Sequence, residues 1–318
     1  MTASCSPRGG DPPITPRRGA SSANTSYLLF ETDVRLSARI HRATDDLYER
    51  QPAVLVTGSW LTVKEQMADH YARALAERGY TAITFDFAGF GQSSGDPRQA
   101  EIPARKIADI TAAARQVASL SFVRPGAVGF LAICASAQYA LAAIAGGAPI
   151  ASFASVAGWY HDTASVAPFY GGAEGVALRI DRARSALDEY LSSGKVRTVP
   201  AYENGNDRAG MFFELDYYAS AGRGAVASWT NAMAEFSWLY WLTFDGLSAA
   251  PRVSVPALFV HGDGCVLPDN VRALRDRLAG PAELVWAEGS QTDFYDQPDQ
   301  VCLAVDAADR HFRRTLAP

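Results

Sequence analysis

Gly129-Phe130-Leu131-Ala132-Ile133-Cys134-Ala135-Ser136-Ala137 is the stretch that decides the architecture of this chain. Its apolar half, read from Ala127 to Ile133, predicts a buried strand, and the small residues from Ala135 to Ala145 predict a helix packed close behind it. A strand that turns sharply into a helix around a nucleophile tolerates only small residues two positions before and two after it. Cys134 puts Ala132 and Ser136 at those positions, whereas Ser136 as nucleophile would put Cys134 and the bulky Gln138 there. Sterics choose Cys134. A thiol just ahead of a helix lies in the partial positive charge of that N-terminus, which favours thiolate. The N–H of Ala135 would face a developing oxyanion, with a second donor expected from Ser59 or Trp60. The competing reading is an inert buried thiol. Strand, spacing and small-residue helix together favour an active-site position.

Outward from that turn, short apolar runs alternate with amphipathic stretches, which predicts βαβ units around a mostly parallel sheet. Strands are expected at Ala53–Val56, Thr81–Asp86, Ile150–Ala157, Ala257–His261 and near Glu283–Ala287. Thr62 and Glu65 have capping-box spacing for a helix with Val63, Met67, Tyr71 and Leu75 on its apolar face. Tyr27–Ala43 reads as a flanking β-hairpin. Between residues 163 and 250 the alternation stops. The expected organisation is a core of residues 27–162 and 251–318, a helical lid inserted at 163–250, and a disordered leader at 1–26.

At 318 residues with a net charge of −5 and no Lys/Arg-rich stripe, the chain is not a nucleic-acid binder. The leader lacks the apolar run of a signal peptide, and no window approaches the ~18 apolar residues of a membrane span. Cys5, Cys134, Cys265 and Cys302 show no paired spacing, which predicts reduced thiols and a cytoplasmic protein. No metal or other cofactor is called for.

With Gly58-Ser59-Trp60-Leu61-Thr62-Val63-Lys64-Glu65-Gln66 and Phe85-Asp86-Phe87-Ala88-Gly89-Phe90-Gly91-Gln92-Ser93 beside the Cys134 turn, the chain resembles α/β-hydrolases of the dienelactone hydrolase type. It resembles still more a branch labelled polyketide transferases. The resemblance spans about residues 27–315. It implies an α/β-hydrolase fold, with helices on both faces of the sheet and an inserted aromatic-rich lid. It also implies a Cys nucleophile acting on activated esters or lactones. In such relatives the catalytic His precedes an Asp-aromatic-Tyr stretch, a position held here by Gln291, and the usual acid position holds Cys265. Gln cannot accept and return a proton, so the ordinary base is missing.

Among five histidines, His41, His70 and His311 fall away from the carboxyl edge of the sheet, and His261 reads as a structural loop residue. His161 follows the strand beside the elbow and is the replacement base to test, with Asp162 to orient it and Asp263 as the nearest carboxylate. The competing reading is that Trp159-Tyr160-His161-Asp162 merely begins the insert. Cys265 is either a second active-site thiol or a small filler. The insert carries ten aromatic residues between Phe212 and Phe244, Trp238 and Trp241 among them. Helical spacing makes these core first, and the wall of an apolar pocket second.

Three functions follow. The first is a Cys-nucleophile acyl hydrolase or acyltransferase acting on an ester, thioester or lactone of a bulky, hydrophobic, polyketide-like metabolite, free or bound to a carrier protein. The second is a cyclase, dehydratase or lyase using the same pocket by positioning. The third is a non-catalytic binding protein. A homodimer is compatible with each.

Overall fold

The structure, a computed structural model, describes residues 24–316 apart from residues 45 and 47. Eight strands form one sheet: β1 (Asn24–Glu31), β2 (Arg35–Arg42), β3 (Gln51–Thr57), β4 (Thr81–Phe85), β5 (Val123–Ile133), β6 (Ser152–Val156), and, after an insert holding the short β7 (Thr198–Val199) and β8 (Met233–Ala234), β9 (Ala257–His261) and β10 (Ala282–Trp286). Their spatial order is β1-β2-β4-β3-β5-β6-β9-β10. The β1–β2 hairpin is antiparallel and joins β4 antiparallel, while every pairing from β4 to β10 is parallel. A parallel strand covered on both faces reads as a continuous apolar run. Accordingly β4, β6 and β9 are buried at every residue.

Helix α1 (Met67–Ala76) packs with the C-terminal helix on one face, and α2 (Pro103–Ser119) packs with α3 (Ser136–Ala145) on the other. The insert between β6 and β9 holds α4 (Thr163–Val166), the 22-residue α5 (Gly172–Ser193), α6 (Asp216–Ala219) and α7 (Ser237–Trp241). The two-residue strands β7 and β8 pair within it, so the insert is helical only in part. The core then closes with α8 (Pro268–Arg277), α9 (Asp293–Asp296) and α10 (Pro298–Thr315).

Three expectations change. Residues 24–26 belong to β1 rather than to the leader, and residues 1–23 lie outside the described residues. Thr62 and Glu65 do not cap α1, which starts later, at Met67. The Thr62 hydroxyl donates to the Ser59 carbonyl instead (2.6 Å), and Glu65 pairs with Arg39 and Lys64. Cys134 and Cys265 are free thiols as expected, whereas Cys302 is disulfide-bonded. Among the described residues no helix is long and apolar enough to cross a membrane.

The insert is stitched to the core by hydrogen bonds. The Trp229 indole N–H donates to the Leu61 carbonyl (2.8 Å), the Gln66 amide to the Gly224 carbonyl (2.6 Å), and the Ala234 N–H to the Gln99 carbonyl (2.8 Å).

Candidate active site

Cys134 sits directly beyond β5 with φ at +57°, the left-handed region that a non-glycine residue adopts at a cost of roughly 1–2 kcal/mol. Its neighbours hold it there. Its N–H donates to the Val156 carbonyl at the end of β6, and its carbonyl accepts from Trp159 and Ala137. Ala132 lies between Thr57 and Ser155 of the adjacent strands, while the Ser136 hydroxyl accepts from Thr57 (2.9 Å). Larger residues on either side would meet these neighbours. The spacing argument for Cys134 over Ser136 is thereby given its cause.

The thiol is 5% exposed and lies in the wall of a cavity of about 100 Å³. Ser59, Trp60, Trp159, Tyr170, Tyr218, Trp241, Gln291 and Tyr295 share that wall. Ser59, Trp60 and Tyr295 line the same cavity as the thiol, and the Ser59 and Tyr295 hydroxyls and the Ala135 and Trp60 backbone N–H groups favour its thiolate. Burial pushes the thiol up and is the dominant influence, with these four hydrogen bonds working against it. Around the sulfur a polar cluster extends outward. Tyr218 donates to the Ser59 hydroxyl at 2.9 Å, and the Ser59 and Tyr295 hydroxyls lie 3.3 Å apart.

Gln291 stands where an imidazole was sought, and its amide is fully engaged. Its Nε2 donates to the Ala157 carbonyl (2.8 Å) and to the Tyr295 hydroxyl (3.1 Å), and its Oε1 accepts from the Val266 N–H (3.1 Å). One side chain thus ties together the loops after β6, β9 and β10.

The other expected groups lie elsewhere. His161 is fully buried with both ring nitrogens occupied: Nε2 donates to the Trp241 carbonyl (2.8 Å) and Nδ1 accepts from the Trp159 indole (2.6 Å). Burial pushes it down to about 4, so it is neutral near pH 7 and has no lone pair to offer Cys134. What it does is hold Trp159 and Trp241, two residues of the cavity wall. Asp162 caps α4, accepting from the Ser165 N–H, and does not orient His161. Asp263 points to solvent, where it pairs with Arg272 (2.7 Å) and accepts from the Trp286 indole (3.2 Å). Cys265 is buried behind the cavity rather than in its wall, and burial pushes its thiol up to about 12. It is the small filler of the two readings. Trp241 lines the cavity and stacks on Trp60 at 4.4 Å, whereas Trp238 stands one layer back, 5.7 Å from Trp60 and 4.8 Å from Tyr170. His261 is structural, as expected, its Nε2 donating to the Val266 carbonyl.

Tyr218 and Tyr295 were not singled out from the sequence. Tyr295 had a signal: it lies four residues after Gln291, one helical turn on, in a loop expected over the site. Tyr218 had none, because only the return of the insert over β3 brings it to Ser59. Beyond Tyr218 lies a more open cleft of about 490 Å³, walled also by Tyr202 and Trp229. Among the described residues no group of three or more His, Cys, Asp or Glu side chains is arranged to hold a metal ion.

Comparison with known proteins adds the family. A family model described as Alpha/beta hydrolase family matches residues 53–305. The crystal structure of hypothetical protein PA2218 from Pseudomonas aeruginosa superposes with a TM-score of 0.80 at 23% identity, covering 93% of this chain and 94% of that one. Polyketide transferase claH of Penicillium crustosum is 24% identical over 84% of this chain and 89% of its own length. Acyltransferase drtE of Aspergillus calidoustus is 26% identical over 85% and 88%. A shorter match, 43% identical over 77 residues, spans only 25% of the uncharacterized protein YcjY of Escherichia coli.

Proposed function

Since the chain belongs to the alpha/beta hydrolase family, we propose that it is an acyl hydrolase or acyltransferase whose nucleophile is Cys134. The observation that carries this reading is the Cys134 elbow itself, with φ at +57°, the thiol in the wall of a buried cavity and the Ala135 and Trp60 backbones beside it. Two backbone donors fixed before substrate arrives are what an acyl-transfer site requires, because they meet the oxygen that gains charge as the tetrahedral intermediate forms. The substrate is an ester, thioester or lactone. Its acyl end is apolar and slender, since about 100 Å³ is small beside the roughly 300–1,000 Å³ of pockets for drug-sized ligands. A bulky polyketide-like body would sit outside the cavity. The names of two fungal relatives, a polyketide transferase and an acyltransferase, support transfer to an acceptor other than water.

The test is direct. Incubation with an activated ester gives a mass increment equal to the acyl group on the Cys134 peptide, and Cys134→Ala gives none. Full activity of Cys134→Ala on an acyl substrate would overturn the assignment.

A second reading drops the covalent step and lets the cavity act by positioning alone, as in a cyclisation or dehydration. The observation in its favour is that no imidazole or carboxylate lines the cavity. Its signature is turnover with no adduct on Cys134.

A further inference from the structure

The cavity places two hydroxyls, and no imidazole, against the thiol. We propose that, within the acyl-transfer reading on which this rests, proton movement at Cys134 runs through the Ser59 and Tyr295 hydroxyls, with Tyr218 and Gln291 as their positioning residues.

The hydrogen bonds form two short chains that end beside one sulfur, in the wall of the same cavity. In the first, Tyr218 donates to Ser59 Oγ, and the Ser59 hydroxyl meets Cys134. In the second, Gln291 Nε2 donates to the Tyr295 hydroxyl, which meets Cys134. Ser59 Oγ accepts one hydrogen bond from behind and keeps its second lone pair for the thiol proton and its own proton for the leaving oxygen, whereas the Tyr295 hydroxyl, accepting from Gln291, has its proton left for the sulfur. Gln291 is itself held by the Ala157 carbonyl and the Val266 N–H, so the second chain is anchored in backbone. These four residues come from the loop after β3, from α6 in the insert and from the β10–α9 region, and each side chain other than Gln291 is buried. A polar cluster of this kind inside an otherwise apolar cavity costs stability unless it is satisfied and used.

The step balances without an ionised base. As sulfur bonds to the acyl carbon and the bond to the leaving oxygen breaks, the thiol proton moves to Ser59 Oγ. At the same time the proton already on Ser59 passes to the leaving oxygen, releasing a neutral alcohol. Tyr295 donates to the sulfur while charge develops on it. In the second half the incoming water or acceptor hydroxyl loses its proton to Ser59, Ser59 returns one to sulfur, and the acyl–sulfur bond breaks. The titratable groups facing the thiol are Tyr170, Tyr218 and Tyr295, with Tyr139 and Cys265 behind them, and burial pushes each of them up. They stay protonated through neutral pH, as a relay of neutral hydroxyls requires.

The experiment follows the acylation burst of the full-length chain with p-nitrophenyl acetate, with the adduct located by mass spectrometry. Ser59→Ala is expected to slow the burst by about 100-fold, the lower end for a proton-transfer group. Tyr295→Phe, which removes one oxygen and leaves the packing, is expected to slow it about tenfold and serves if Ser59→Ala folds poorly. Gln291→Ala should add little to Tyr295→Phe, because both act through one hydroxyl. In mixed H2O and D2O the wild-type burst rate should curve with deuterium fraction, since two protons move together, and that curvature should vanish in Ser59→Ala. Unchanged bursts in Ser59→Ala and Tyr295→Phe, with the Cys134 adduct still present, would overturn the relay and leave the acyl reading standing. A wild-type pH limb near 6.5 that His161→Gln abolishes would do the same. Turnover with no adduct on Cys134 in the wild-type protein overturns both.

Discussion

At the end of β5 and at the ends of β9 and β10, the same sheet delivers chain to the same edge with opposite results. The β5 turn is governed by backbone: a +57° residue, small flanking side chains, a hydrogen bond from the Cys134 N–H to the Val156 carbonyl, and hydrogen bonds to its carbonyl from Ala137 and Trp159. Nothing there is free to be replaced without moving the thiol. The β9 and β10 loops are tied down through side chains, Asp263 to Arg272 in solvent and Gln291 to backbone carbonyl and amide groups. One part of the sheet edge holds its thiol by backbone geometry, and the other holds its polar side chains by hydrogen bonds and a surface ion pair. The first is written into φ and ψ, and the second only into which way a side chain points.

The contrast can be broken most forcefully at Cys134. Cys134→Ala should lower acyl transfer on the order of 10⁴-fold or more, as loss of a covalent nucleophile does, measured by burst and steady-state rates. If activity survives, the elbow is a fossil and the comparison collapses. The next largest effect concerns stability. Burial pushes His161 and His261 down to about 4, so the unfolded chain takes up protons on these rings that the folded chain refuses. Their stabilisation is complete above about pH 6.5 and is lost as pH falls toward 4, by roughly 3 kcal/mol per ring. His161→Gln should remove about half of that acid slope in melting temperature, leaving the shape of the pH–rate profile unchanged. A changed profile would return His161 to the chemistry.

A smaller effect isolates the backbone term at the elbow. Cys134→Gly should be more stable than Cys134→Ala by about 1 kcal/mol, because glycine adopts the left-handed region without strain. Equal stabilities would mean the turn is not held in that conformation. The smallest effect is expected at Asp263. Asp263→Asn should leave acyl transfer within about twofold, since an exposed ion pair contributes little, and a larger loss would restore it as the missing acid.

The legible part of the molecule follows the same division. The strands β3, β4, β6 and β9 are apolar runs whose burial on both faces leaves few alternative readings, and Ala257–His261 is found where it was expected. The elbow at Cys134 was legible because a sharp turn restricts side-chain size at fixed spacing. His161 was misread because adjacency in sequence at a sheet edge says nothing about which nitrogen a tryptophan will claim. Tyr218 was out of reach for a related reason: it meets Ser59 across a separation of 159 residues. Such meetings depend on how the insert returns, which no local pattern encodes.

The hydrogen bonds that fasten the insert have a consequence for experiments on access. Trp229 to Leu61 and Gln66 to Gly224 join the covering segment to the loop that carries Ser59 and Trp60, while Ala234 to Gln99 and His161 to Trp241 join it to the loops after β4 and β6. It is a rib of the body rather than a shutter on it. Excising residues 163–250 would bare the stacked face of Trp60 and unseat His161, so the truncated chain would report a loss of cooperative folding, not an unveiled entrance. Point changes at the cavity rim, such as Phe213 or Leu215, are the ones that can widen the way in while the molecule stays whole.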